Sequence, residues 1–119
     1  MRFKLWIENQ ETIPCGDCFK FANNLAKNML EDGIIPEDKF FVCHGEVEAP
    51  LAQEHKRYSH AWVETPDKVY DWQLRMSGKG NLPQKDFYEL FKPDKITKYS
   101  VKEAMTNQVR HGHHGPWTT

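Results

Sequence analysis

Three side chains of the 119-residue chain have the types and order needed for nucleophilic catalysis: Cys18, His60 and Asp71. A thiol is a weak nucleophile until it ionises, and an imidazole held in one tautomer by a carboxylate is the usual means of taking its proton. Cys18 would attack an amide or ester carbonyl, His60 would act as its base, and Asp71 would orient the imidazole. Water would release the acyl group; an amine acceptor in its place would make the reaction a transfer. The substrate would be a peptide or another amide, with no cofactor required.

The elements that must position these groups follow from periodicity. Cys18, Phe21, Ala22, Leu25, Ala26, Met29 and Leu30 recur at helical spacing and form one apolar stripe. Asp17 is placed to cap this helix and Gly33 to end it. Cys18 then falls in the first turn, where the helix dipole favours a thiolate and free backbone N–H groups can face an oxyanion.

Phe40–Cys43, with Val47 beyond, reads as a strand. Tyr58–Glu64 and Lys68–Gln73 read as a hairpin around Thr65-Pro66-Asp67. If the turn pairs Glu64 with Val69, Asp71 projects from the same face as His60, on a diagonal short enough for a hydrogen bond. Ala61, Val63, Tyr70 and Trp72 then form the opposite, core-facing surface. Trp62 shares the His60 face and reads as core, and His44 and Glu46, which follow Cys43 in a strand, read as loop-end polar residues that are candidates for a substrate role.

The weaker elements are a strand or arm over residues 3–8, a polar connection over 48–57, a loop over 75–83, one or two helical turns over Asp86–Phe91 and a short strand over Ile96–Ser100. Residues 106–119 read as a tail or a loosely docked segment within a single domain spanning 1–119. One helix followed mainly by antiparallel strands indicates an α+β fold.

Four short runs carry a family resemblance: Gly16-Asp17-Cys18-Phe19, His44-Gly45-Glu46-Val47, His60-Ala61-Trp62-Val63-Glu64 and Val69-Tyr70-Asp71-Trp72. Together they resemble the transglutaminase-like branch of the papain-like cysteine enzymes, in particular small stand-alone proteins of bacteria and tailed phages. The resemblance covers residues 15–73 and implies a nucleophile helix packed on a small antiparallel sheet, with Cys18, His60 and Asp71 as the triad. The Gln that papain-like peptidases place six positions before the nucleophile is Thr12 here, with Asn9 and Gln10 nearby.

Composition narrows the alternatives. A net charge of −1 and a pI near 6.6 provide no basic surface for nucleic acid. No apolar run reaches the roughly 18 residues of a membrane span, and the first residues lack a signal peptide's apolar region, so the expected location is cytoplasmic. Three cysteines in such a chain argue against a disulfide framework and for reactive or metal-binding thiols.

Three rival readings stay open. Cys15-Gly16-Asp17-Cys18 is a C-x-x-C at a helix start, the arrangement of dithiol redox proteins, although these carry it in a βαβ setting. Cys15, Cys18, Cys43 and His44 could hold a structural zinc if the chain leaves the strand at Cys43. An inactive member could bind peptides in the same groove. His111, His113 and His114 have a metal ligand's chemistry and are assigned no function.

Overall fold

The computed structural model describes residues 16–48, 57–76, 78 and 80–117. Helix α1 (Gly16–Asp32) follows the apolar stripe. It stops where Gly33 takes a left-handed conformation (φ 67°), with its N–H donating to Met29 O at 3.1 Å. Because the helix starts at Gly16, Asp17 lies inside the first turn and is not its cap.

Strands β1 (Phe41–Glu48), β2 (Arg57–Glu64) and β3 (Lys68–Tyr70) follow, then a short helix α2 (Trp72–Met76), strand β4 (Asn81–Pro83), helix α3 (Gln84–Phe91), strand β5 (Asp94–Tyr99) and helix α4 (Val101–His111). The strands form one five-stranded sheet in the order β4-β3-β2-β1-β5, with every adjacent pair antiparallel. The α+β expectation therefore holds.

The hairpin has the expected register: Glu64 pairs with Val69 and Val63 with Tyr70. Thr65 fixes the turn, its N–H donating to Lys68 O at 2.9 Å and its Oγ1 accepting from Lys68 N at 3.1 Å. The third strand is shorter than the sequence suggested. It ends at Tyr70, and Trp72 and Gln73 belong to α2, whose Arg75 N–H donates to Asp71 O. The loop assigned to 75–83 contains β4. The expected strand over residues 3–8 and most of the polar connection lie outside the described residues.

Alternation along the strands divides the core in two. On the first face Val42, Ala61 and Val63 pack with Cys18, Phe19, Ala22 and Ala26 of α1 and with Val101 and Ala104 of α4. On the second face Cys43, Val47, Trp62 and Val69 pack with Leu74 and with Phe87 and Phe91 of α3. A single small sheet thus carries an apolar layer on each side.

Of the two expectations for residues 106–119, a tail or a docked segment, the described part up to Trp117 is docked. Helix α4 opens with a reciprocal capping box: Glu103 N–H donates to Ser100 Oγ (3.1 Å) and Ser100 N–H to Glu103 Oε1 (2.8 Å). Beyond it, Trp117 is 8% exposed and joins the first core. Asn23 Nδ2 of α1 donates to His114 O at 3.2 Å, and Trp117 Nε1 donates to His113 O at 2.9 Å.

Candidate functional site

His60 and Asp71 meet as the hairpin register requires. Their Nε2 and Oδ1 atoms are 2.6 Å apart, and both side chains are fully buried. The imidazole lies on the second face, its ring parallel to Phe91 (7° between planes, centroids 6.0 Å apart), stacked on Trp62 and edge-on to Tyr58.

Cys18 is not brought to this pair. It is fully buried among Ala22, Ala61 and Val63 on the first face, so the sheet lies between the sulfur and the imidazole. Its sulfur is also engaged in a disulfide. The expected triad is therefore corrected to a His60–Asp71 pair and a separate, oxidised Cys18. The reason is the helix stripe itself: a cysteine that shares its helix face with Ala22 and Ala26 follows them onto the Ala61–Val63 surface.

The zinc set fails for a related reason. Cys43 and His44 are neighbours in β1 and point to opposite faces, Cys43 with Trp62 and His44 with Phe19. Cys43 is buried and free, and burial, followed by the charge of Glu64, holds its thiol far above the ordinary range. Such a thiol is protonated and inert. Among the described residues, no three His, Cys, Asp or Glu side chains converge on a metal position.

Two polar side chains are buried where the sequence pattern gave no such expectation: Glu64, which it left unassigned, and His44, which it placed at a loop end as a candidate for a substrate role. On the second face, Glu64 is 2% exposed and accepts hydrogen bonds from Trp62 Nε1 (3.1 Å) and from the Tyr88 hydroxyl, while Lys98 Nζ pairs with its Oε2 at 3.1 Å. The Tyr88 hydroxyl is held protonated well above its usual range by burial and by its bond to Glu64. The alternation of His60, Trp62 and Glu64 was the available signal, since a Glu on a core face requires donors.

On the first face, His44 is enclosed by Phe19 (ring centroids 4.8 Å), Tyr99 (5.0 Å) and Trp117 (4.8 Å). Burial lowers its pKa to about 4, so the ring is neutral at neutral pH, and its Nε2 is buried with no hydrogen-bond partner. Gly115 passes so close that a Cβ there would lie 2.7 Å from His44 Cε1.

No family model, curated protein or solved structure matches the chain, so the chemistry of the site rests on its own residues. Among the described residues, no helix is long and apolar enough to cross a membrane.

Proposed function

We propose that the chain is a thiol–disulfide exchange protein whose reactive pair is the C-x-x-C formed by Cys15 and Cys18. The observation that carries this reading is the disulfide at Cys18, in the first turn of a 17-residue helix, while the remaining described cysteine is free, buried and inert. A helix N-terminus lowers the pKa of a thiol beside it and so stabilises the reduced, thiolate form of such a pair.

The two sulfurs divide the work by access. Cys18 is fully buried and cannot approach a substrate. Cys15 is the attacking thiolate: it displaces one sulfur of a substrate disulfide and forms a mixed disulfide. Cys18 then attacks the Cys15 sulfur, the substrate leaves as a dithiol, and the Cys15–Cys18 disulfide remains until a cellular thiol reduces it. This reading rests on the site and not on the fold, whose sheet is antiparallel where thioredoxin-like proteins carry βαβ units.

A second reading is favoured by one observation. The buried contact between His60 and Asp71 is the kind that orients a catalytic imidazole, as the cysteine acyl-transfer enzyme of the family resemblance requires. It needs Cys18 both reduced and moved to the other side of the sheet, which makes it the weaker of the two.

The two readings separate on substitution. Reduction of a fluorogenic disulfide peptide should be abolished by Cys15→Ser, whereas Cys18→Ser should accumulate the mixed disulfide, visible in the intact mass. Retention of hydrolysis of an acyl substrate by Cys15→Ser and its loss in Cys18→Ser would overturn the redox reading in favour of the acyl-transfer one.

A further inference from the structure

The stretch His113–Trp117 lies across the first face of the sheet and closes over His44. Nε2 of that imidazole is buried with no hydrogen-bond partner, and Gly115 stands so near that a Cβ there would lie 2.7 Å from Cε1 and 3.4 Å from Nε2. Phe19 and Trp117 complete the enclosure, each with its ring centroid 4.8 Å from that of His44. We infer that His113–Trp117 is a proton-operated latch, closed over His44 while the ring is neutral and swung off the sheet about Gly112 when the ring takes up a proton. The inference goes beyond the thiol chemistry above and stands whichever reading of the cysteines holds.

The closed arrangement suits only the neutral ring. An imidazolium carries an N–H on both nitrogens, so protonation puts charge on an atom that is buried without an acceptor, and moving it into water relieves the cost. The titratable groups around the ring are otherwise engaged. Glu46, two residues along β1, lines the same cleft but pairs with Lys95 of β5 at 3.4 Å. Tyr99 of β5 presents its ring, and burial raises its pKa and keeps its hydroxyl protonated. On the strap, His113 Nδ1 accepts from Gly115 N–H, and His114 gives its carbonyl to Asn23. Helix α1 meets the imidazole through Phe19.

Of the walls around the ring, the strap is the one that can yield. Strand β1 is paired on both sides, to β2 and to β5, and α1 is a helix of 17 residues. Among the described residues, the strap is held to α1 by Asn23 Nδ2 at His114 O, 3.2 Å away. Its bonds from Trp117 Nε1 to His113 O and from Gly115 N–H to His113 Nδ1 are internal and move with it. Gly112, which ends α4 in a left-handed conformation (φ 75°) with open space around it, provides the pivot. His44 also borders a cleft of about 200 Å³, through which a proton can reach the ring.

The sign follows from linkage. Closed, the ring is held at about 4; open, it returns towards its ordinary 6.5, so below pH 6.5 the open state binds the proton more readily. The open-to-closed ratio should therefore rise roughly fortyfold between pH 6.5 and pH 4.5.

NMR hydrogen exchange of two indole N–H groups in the full chain tests this. Trp117 reports the strap, and Trp62, whose Nε1 donates to Glu64 on the second face, reports the sheet. Trp117 should be the less protected of the two at every pH, because the strap opens while the sheet stays folded. Its protection, corrected for intrinsic exchange, should fall roughly fortyfold from pH 6.5 to 4.5 in the wild type and less than about threefold in His44→Phe. Equal protection of the two indoles, or a fall that persists in His44→Phe, would overturn the inference.

Should His44→Phe fail to fold, Gly115→Ala at pH 7 takes its place, since the added Cβ collides with the ring that the closed strap covers. Trp117 should then lose protection at least tenfold while Trp62 keeps its own. No change at Trp117, or an equal loss at both indoles, counts against the latch.

Discussion

His60 and Asp71 are joined on the face of the sheet that α3 covers, and Cys18 lies on the face that α1 covers. Each is fully enclosed where it stands. The imidazole–carboxylate contact therefore ties β2 to the start of α2 and contributes first to stability. Asp71→Ala removes the carboxylate that the buried imidazole contacts at 2.6 Å and should lower unfolding free energy by about 1–3 kcal/mol, measured by urea titration. Under the redox reading, the same variant should leave the rate of Cys15–Cys18 disulfide reduction by dithiothreitol unchanged.

Cys43 should resist alkylation in the native protein at pH 8 and react fully once the chain is unfolded. Iodoacetamide labelling followed by peptide mass spectrometry reads this directly. The expected contrast is at least a hundredfold in rate, because the buried thiol beside Glu64 is both protonated and inaccessible.

His44 makes stability depend on pH in a defined window. Its folded-state pKa lies near 4, below the ordinary value of 6.5, so the unfolded chain binds the proton more readily between those values. The stabilisation is fully present above pH 6.5 and is lost as pH falls towards 4, at up to about 1.4 kcal/mol per pH unit. Urea midpoints at pH 7, 5.5 and 4.5 should fall in that order, and His44→Phe should flatten this part of the profile.

Gly45 sits at the register irregularity between β1 and β5, where an added Cβ would lie 3.0 Å from both Asp94 O and the Trp62 ring. Gly45→Ala should cost about 1–3 kcal/mol through overpacking. The loss should appear in thermal unfolding, with the far-ultraviolet spectrum of the folded state retained.

Tyr88→Phe removes one of the donors that Glu64 relies on in its buried position. A loss of about 1–2 kcal/mol is expected by urea titration. Changing Glu64 to Gln in the same background should recover part of it, since a neutral amide needs less compensation.

Much of this architecture was legible in the residues. The stripe from Cys18 to Leu30 set α1, Gly33 ended it, and Thr65-Pro66-Asp67 fixed the register that joins His60 to Asp71. The same reading also contained the fact that separates Cys18 from His60. It assigned Ala61 and Val63 to the core surface and Cys18 to the helix stripe that must cover that surface, and His60 alternates away from both.

Helix α4 was missed although Ser100-x-x-Glu103 is a capping-box signature and Val101, Ala104 and Met105 follow at helical spacing. The histidines and glycines after it drew attention to a tail. Compartment argued against a disulfide framework but says little about a C-x-x-C, and the dithiol reading that stayed open is the one consistent with the disulfide at Cys18. The role of Trp117 depends on contacts some 70 residues away in β1, which no local pattern encodes.

Because β1 and β2 supply side chains to both apolar layers, neither layer can be dismantled while the other stays intact. Loosening α3 withdraws support from the strands against which α1 rests, and the converse holds. The described part of the molecule should accordingly melt as one cooperative unit, with tryptophan fluorescence and helical circular dichroism lost at the same temperature.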